Sequence, residues 1–452
     1  MNKIYKRTKW MYIFAFAFFV TLVVLFFTME INAGKRIVKD YNKHLYSGGE
    51  LLAAGKVTDR NGLVLAQTVD GKRVYNEDKN VRIATLHVVG DSGGFIATGV
   101  QNAFKSKLTG YSLINGVYDL KKNGSGNDIE LSIDSALSVT ALNALGKNQG
   151  TIGVYNYQTG EILCAVSAPT YDIYNKPENI DANDSDEYEG IYMNRFFSGL
   201  YTPGSTFKIV TACCAMENMI DIESRTFTCN GSYVNKAGSK VKCNGVHGTV
   251  NFEQALNRSC NSAFARLADE LGNEKMTKTA EEFGFNKTVK VDGIKCATSK
   301  FNLSEAYSID RAWAGIGQYT TMVNPCHEIA IMGAIANRSG YTPEPTLIKN
   351  KKTSNLRLLG SVSAKGLDKM LRSNVENYYR DSSFPNLQMC GKTGTAEVSN
   401  DRPHAWFVGY SQRSDLPLAI VVVLENSGGS GIRDAVPVAN KVMQKALELY
   451  VK

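Results

Sequence analysis

From Trp10 to Met29 the chain carries no charged residue, and Phe, Val, Leu, Ile and Ala fill most of the stretch. At about 1.5 Å per residue, a helix of that length spans roughly 30 Å, the thickness of a bilayer's hydrocarbon core. Lys3, Lys6, Arg7 and Lys9 precede it. Residues 1–9 are therefore expected to stay in the cytoplasm as a basic tail, residues 10–29 to form a transmembrane anchor, and the remainder to be exported. Lys35, Arg36 and Lys39 on the far side weaken the charge asymmetry. A cleaved signal peptide is the alternative. Its apolar region is usually shorter, about 7–15 residues, and ends at a small-residue site, of which Asn32-Ala33-Gly34 is a poor version. A retained anchor is favoured. No later run reaches spanning length; Leu418–Leu424 reads as a buried strand.

The chain as a whole has ordinary globular composition. Of 452 residues, 43% are hydrophobic and 21% charged, enough for two domains with at least one large core. The formal charge of +8 is small and spread along the sequence, so no nucleic-acid partner is expected. The same excess suits a surface beside anionic lipid or wall polymer, and equally an ordinary solvated surface. Nine cysteines cannot all pair with one another. Cys164, Cys213 and Cys214 lie in apolar runs and read as small core residues.

Residues 30–128 mix strand-like runs with Gly-rich turns such as Asp59-Arg60-Asn61-Gly62 and Gly90-Asp91-Ser92-Gly93-Gly94. They predict a small, mostly β pedestal, with 33–46 as its one helical pattern. Residues 129–452 carry sharper signals. Ser132–Leu145 reads as a helix opened by Ser132 or Asp134. Thr151–Tyr157 and Glu161–Ala168, joined by Gln158-Thr159-Gly160, read as a β-hairpin. The acidic stretch Tyr171–Gly190 reads as a loop, and helical patterns fill roughly Ser205–Ala336. Strand-like runs return at Leu387–Val398, Ala405–Ser411 and Leu418–Glu425. A closing helix, Val436–Val451, places Val438, Val442 and Leu449 on one face. Strands, helices, strands and a last helix predict an α+β fold, its antiparallel sheet built from both ends of the domain and flanked by helices.

Three short motifs could carry chemistry. In Ser205-Thr206-Phe207-Lys208 the i, i+3 spacing puts a hydroxyl and an ammonium on one helix face. Serine becomes a competent nucleophile when a neighbour takes its proton, and a lysine whose pKa is lowered can do so. In Ser259-Cys260-Asn261 the hydroxyl could relay a proton and the amide hold a carbonyl. In Lys392-Thr393-Gly394-Thr395, inside a strand-like run, lysine and hydroxyls can bind a carboxylate and glycine admits a close backbone. Singly, each motif reads as an exposed loop or strand. Together, in this order, they are the set known from penicillin-binding proteins and class A β-lactamases.

The chain resembles the class B penicillin-binding proteins, and the likeness covers nearly everything after the anchor. It extends to Val57–Ala66, Leu131-Ser132-Ile133-Asp134, Thr159–Leu163, Tyr201–Lys208, Gly317-Gln318 and His404–Tyr410. The resemblance implies a serine D,D-transpeptidase of the bacterial cytoplasmic membrane, with its catalytic domain outside, that cross-links peptidoglycan stem peptides and is acylated by β-lactams. It implies Ser205 as nucleophile, Lys208 as base, Ser259 and Asn261 as proton relay and peptide orienter, and Lys392 as electrostatic support. Thr393 and Thr395 would bind the substrate carboxylate beside Gly394, and the N–H groups of Ser205 and Thr395 would form the oxyanion hole. A multipass membrane glycosyltransferase is the implied partner. No cofactor is required for this chemistry. Cys229, Cys243, His247 and Cys260 nevertheless form a set suited to tetrahedral zinc; a Cys229–Cys243 disulfide or free thiols are the other readings. The competing functions are a β-lactamase or β-lactam sensor, a D,D-carboxypeptidase, and a scaffold activating a glycosyltransferase.

Overall fold

The computed structural model describes residues 2–32, 46–47, 50–51, 53–110, 126–180, 186–398 and 402–451. Residues 33–45 of the expected helix at 33–46 and part of the acidic loop fall outside them, and Tyr46 itself lies in a short strand, Tyr46–Ser47. Helix α1, Asn2–Ile31, contains the apolar run and buries none of it; among the described residues it is the one helix long and apolar enough to cross a membrane.

The pedestal is built on a four-stranded sheet. Strands β1 (Val57–Thr58), β2 (Val64–Val69) and β3 (Lys72–Tyr75) pair antiparallel, and β4 (Ile129–Glu130) joins β1 in parallel. The turn between β1 and β2 forms because Asp59 Oδ1 accepts from the N–H groups of Asn61 and Leu63, both at 2.9 Å, while Gly62 takes a positive φ. The mostly β expectation needs a correction here. Lys79–Val89 forms helix α2, capped by Asp78 on Asn80 N–H and closed at Gly90. Its buried face, Val81, Ala84, Leu86, Val88 and Val89, is too irregularly spaced to stand out as a period in the sequence.

In the larger part, helix α3 (Ser135–Leu145) is opened by Asp134, whose carboxylate accepts from Leu137 N–H. Strands β5 (Gly150–Asn156) and β6 (Ile162–Ala168) form the predicted hairpin. Helix α4 (Lys208–Asn218) follows, and then the helical reading of 205–336 fails over one stretch. Strands β7 (Thr226–Cys229), β8 (Ser232–Val234), β9 (Lys240–Lys242) and β10 (Gly248–Asn251) form two small antiparallel ladders. Short alternating segments such as Thr-Phe-Thr-Cys bury every second residue, a period of two. Helices α5 (Phe252–Asn257), α6 (Asn261–Glu282, kinked at Gly272), α7 (Pro325–Ala336) and α8 (Ser361–Asn374) come next. Strands β11 (Met389–Ala396), β12 (His404–Ser411) and β13 (Leu418–Leu424) and helix α9 (Val436–Tyr450) close the chain.

The main sheet has the order β11-β12-β13-β5-β6, antiparallel throughout, so both ends of the domain meet in it as expected. All seven residues of the central strand β13 are buried. Alternate side chains point to opposite cores. Ile420, Val422 and Phe407 pack with α3 and α9, while Val421, Val423, Trp406 and Val408 pack with the helices on the other face. At roughly 1.5–3 kcal/mol per buried large aliphatic residue, this two-sided burial makes the sheet the rigid reference for whatever lies on its edge. In α9 the buried stripe is Val436, Ala439, Val442, Met443 and Ala446, with Val438 and Leu449 only at its margins.

Candidate active site

β11 is an edge strand, and the three motifs converge beside it. Spacing predicted one helix from Ser205; instead Gly204–Phe207 is a 3-10 turn leading into α4. The cause is local. Gly204 takes φ +55°, and a Cβ there would lie 2.6 Å from the Thr395 carbonyl oxygen, so only glycine lets the turn sit against the strand. Gly394 serves the same approach from the other side: the backbone that comes close to it is that of Pro203. Trp406 Nε1 donates to the Thr202 carbonyl at 3.1 Å and fixes the turn's entry.

Lys208 Nζ lies 2.9 Å from Ser205 Oγ, 3.2 Å from Ser259 Oγ, 2.8 Å from the Ser259 carbonyl and 2.6 Å from Asn261 Oδ1. Lys392 Nζ reaches Ser259 Oγ from the opposite side at 3.0 Å and donates to the Thr393 carbonyl at 3.1 Å. The Ser259 hydroxyl is thus held between two amines. It is placed there by the link between α5, opened by an Asn251–Gln254 capping box, and α6, where Cys260 Sγ accepts from Ala263 N–H. In that link Ser259 adopts φ +52°, a left-handed conformation that costs a non-glycine residue on the order of 1 kcal/mol. Asn261 is steadied by its Nδ2, which donates to the Lys242 carbonyl at 3.1 Å.

Both lysines are fully buried. Burial disfavours the ammonium form and pushes Lys208 well below its ordinary value, with the neighbouring Lys392 adding like-charge repulsion. Burial alone brings Lys392 down to about 7. An uncharged Lys208 at hydrogen-bond distance from Ser205 is a proton acceptor for that hydroxyl. Thr395 is exposed, whereas Thr393 is buried and its hydroxyl bonds Tyr379 Oη at 2.8 Å. The sequence reading missed Tyr379; it sits in a polar, aromatic turn after α8 with no motif to mark it.

Beside the middle motif the four predicted ligands also meet. The ligand atoms of Cys229, Cys243, His247 and Cys260 all lie within 4.8 Å of one another. His247 Nδ1 is 3.5 Å from both the Cys229 and Cys243 sulfurs, and the Cys243 and Cys260 sulfurs are 3.9 Å apart. Zinc–sulfur bonds of about 2.3 Å at tetrahedral angles separate two sulfurs by about 3.8 Å, so the set fits a tetrahedral ion. All nine cysteines are unbonded, with Cys164, Cys213 and Cys214 in the core.

The sequence and the structure both have known counterparts. Residues 150–444 match the penicillin binding protein transpeptidase domain. The peptidoglycan D,D-transpeptidase PbpA of Mycolicibacterium smegmatis is 25% identical over 89% of this chain and 88% of its own length. Stage V sporulation protein D of Bacillus subtilis is 27% identical over 72% of this chain, which spans 54% of that protein. The solved D,D-transpeptidase domain of a peptidoglycan glycosyltransferase from Eggerthella lenta superposes with a TM-score of 0.74 at 27% identity, covering 88% of this chain and 98% of that one. The matched region takes in the main sheet and all three motifs, and the chain belongs to the penicillin-binding protein transpeptidase family.

Proposed function

We propose that this chain is a D,D-transpeptidase that cross-links peptidoglycan outside the cytoplasmic membrane, to which α1 holds it with residues 1–9 inside. The observation that carries the reading is the continuous line Ser205 Oγ, Lys208 Nζ, Ser259 Oγ, Lys392 Nζ, each link between 2.9 and 3.2 Å. In this reading Ser205 Oγ bonds to the carbonyl carbon of the penultimate D-Ala and its proton passes to Lys208. The N–H groups of Ser205 and Thr395 hold the oxyanion, a contribution of roughly 3–4 kcal/mol per donor. The C–N bond then breaks, and the departing D-Ala amine takes a proton through Ser259. An amine of a second stem peptide attacks the ester, forms the cross-link and releases Ser205. A β-lactam ring opens on Ser205 by the same first step and leaves no amine to diffuse away. Thr393, Thr395 and Lys392 receive the substrate carboxylate. The test is product analysis with a stem-peptide donor, with and without an amine acceptor. Acceptor-dependent cross-linked product is expected; hydrolysis alone at the same rate would make the chain a carboxypeptidase.

Two further parts belong to this proposal. The exposed anchor helix and the pedestal, residues 30–128, are the surfaces for a multipass membrane glycosyltransferase. Cys229, Cys243, His247 and Cys260 hold a structural zinc ion that fastens the β7–β10 insert to the Ser259–Asn261 link; bound there, it supplies cross-linking of the fold and no step of the reaction. Metal analysis of protein purified without a histidine tag, under reducing conditions, should give about one zinc per chain. Absence of stoichiometric zinc would overturn the metal assignment.

A further inference from the structure

An edge strand offers outward N–H and C=O groups at every second residue. On β11 these belong to Met389, Gly391, Thr393, Thr395 and, just past its end, Glu397. At every one of these positions but one, a side chain bonds at least one of the two groups. Arg372 Nη1 donates to the Met389 carbonyl at 2.7 Å, and Asn374 Nδ2 to the Gly391 carbonyl at 2.7 Å. At Thr393 the N–H donates to Tyr379 Oη at 2.9 Å and the carbonyl accepts from Lys392 Nζ at 3.1 Å. At Glu397 the Gln318 amide, once its oxygen and nitrogen are exchanged to suit the groups they face, donates to the carbonyl at 3.2 Å and accepts from the N–H at 3.1 Å. Thr395 is the exception. Among the described residues, no group from outside the sheet bonds its N–H or its carbonyl.

We infer that Tyr379 and Gln318 are positioning residues that leave Thr395 as the single open pairing position on this edge, and so confine the donor to a peptide ending one residue beyond the scissile carbonyl. The inference rests on the transpeptidase reading. A donor strand antiparallel to β11 that pairs with Thr395 places one residue's carbonyl on the Thr395 N–H and the same residue's N–H on the Thr395 carbonyl. That carbonyl lies beside the turn carrying Ser205. The next donor residue runs toward Thr393, where Lys392 and the Thr393 hydroxyl can meet a carboxylate. A residue beyond that would have to pair with Thr393, and Tyr379 Oη already occupies its N–H. Tyr379 is buried among Val375, Phe384 and Phe407, so its hydroxyl cannot swing aside without disturbing the core. Upstream, Gln318 covers Glu397 and removes main-chain pairing two residues before the scissile bond. The terminal specificity thus comes from capping the strand as much as from attracting the carboxylate.

The test compares kcat/KM for two ester donors, N-acyl-D-alanyl-D-lactate and the same compound extended by one glycine. The wild type should favour the shorter donor by at least about tenfold, the scale of one hydrogen bond to a charged group. Tyr379→Phe removes the hydroxyl at nearly constant volume, and Tyr379→Ala also removes the ring. In both, the preference should fall about tenfold, with a gain on the extended donor. Thr393→Val, which leaves the Tyr379 cap on the backbone, gives a second reading if the Tyr379 variants fold poorly: it should slow the shorter donor without helping the extended one. A preference unchanged within twofold, or an equal loss on both donors, would overturn the inference. Penicillin labelling of the same preparations separates the two levels. An unchanged preference in protein that still labels removes the capping role alone, whereas a wild type that never acylates removes the transpeptidase reading and this inference with it.

Discussion

Lys392 shows most clearly what the fold does to a single side chain. Burial lowers its pKa from 10.5 to about 7. Between those values the unfolded chain binds one more proton than the folded one, so stability rises with pH across that interval; below about 7 both states are protonated and the buried cation is fully unfavourable. Lys392→Met should therefore stabilise the protein at pH 7, and the advantage should shrink by up to about 2 kcal/mol by pH 9. Urea unfolding of both forms at several pH values checks this, and a pH-independent difference would refute the lowered value. Ser205, Lys208, Ser259, Asn261 and Lys392 stood out in the sequence only because the three motifs occur together and in order; singly each motif reads as an exposed loop or strand. Their mutual distances were not legible, since links across 51 and 133 positions depend on the packing of whole elements. Tyr379 was illegible for a plainer reason: its role is set by one oxygen beside one N–H.

At the scale of elements, the turn before α4 and the edge of β11 form one unit. Gly204 combines φ +55° with a Cβ position 2.6 Å from the Thr395 carbonyl. Gly204→Ala should lower the rate of β-lactam acylation by roughly 10–100-fold through displacement of Ser205, the scale expected when a reacting group shifts by about 1 Å. The main sheet should survive, because its two cores lie elsewhere; stopped-flow acylation alongside far-ultraviolet circular dichroism would show both. The hairpin, β11–β13 and α3 were legible, being long runs bounded by turns or caps. The β7–β10 insert was not. Its strands are three or four residues long, too short for period two to stand against the helices on either side.

For the molecule as a whole, the joint between pedestal and catalytic part is specific. Arg82 on α2 makes a two-pronged bond to Asp172, 2.8 Å at each contact, and lies 4.6 Å over the Tyr174 ring, whose hydroxyl bonds the backbone of Tyr75 on β3. Both charged side chains are largely removed from solvent. Arg82→Ala leaves Asp172 buried without its partner and should destabilise the protein by about 3 kcal/mol, measured as a shift in urea midpoint. This joint, which unites residues 90 positions apart, left no mark in the composition or the turn signals of the sequence. The central claim is that the three motifs make Ser205 an acylated nucleophile. It is tested most directly by incubating the detergent-solubilised protein with a fluorescent penicillin and following the label over time, in wild type and in Ser205→Ala. A stable adduct that is absent from the variant is the predicted result. A label that the variant retains, or folded wild-type protein that takes up none, would contradict the account.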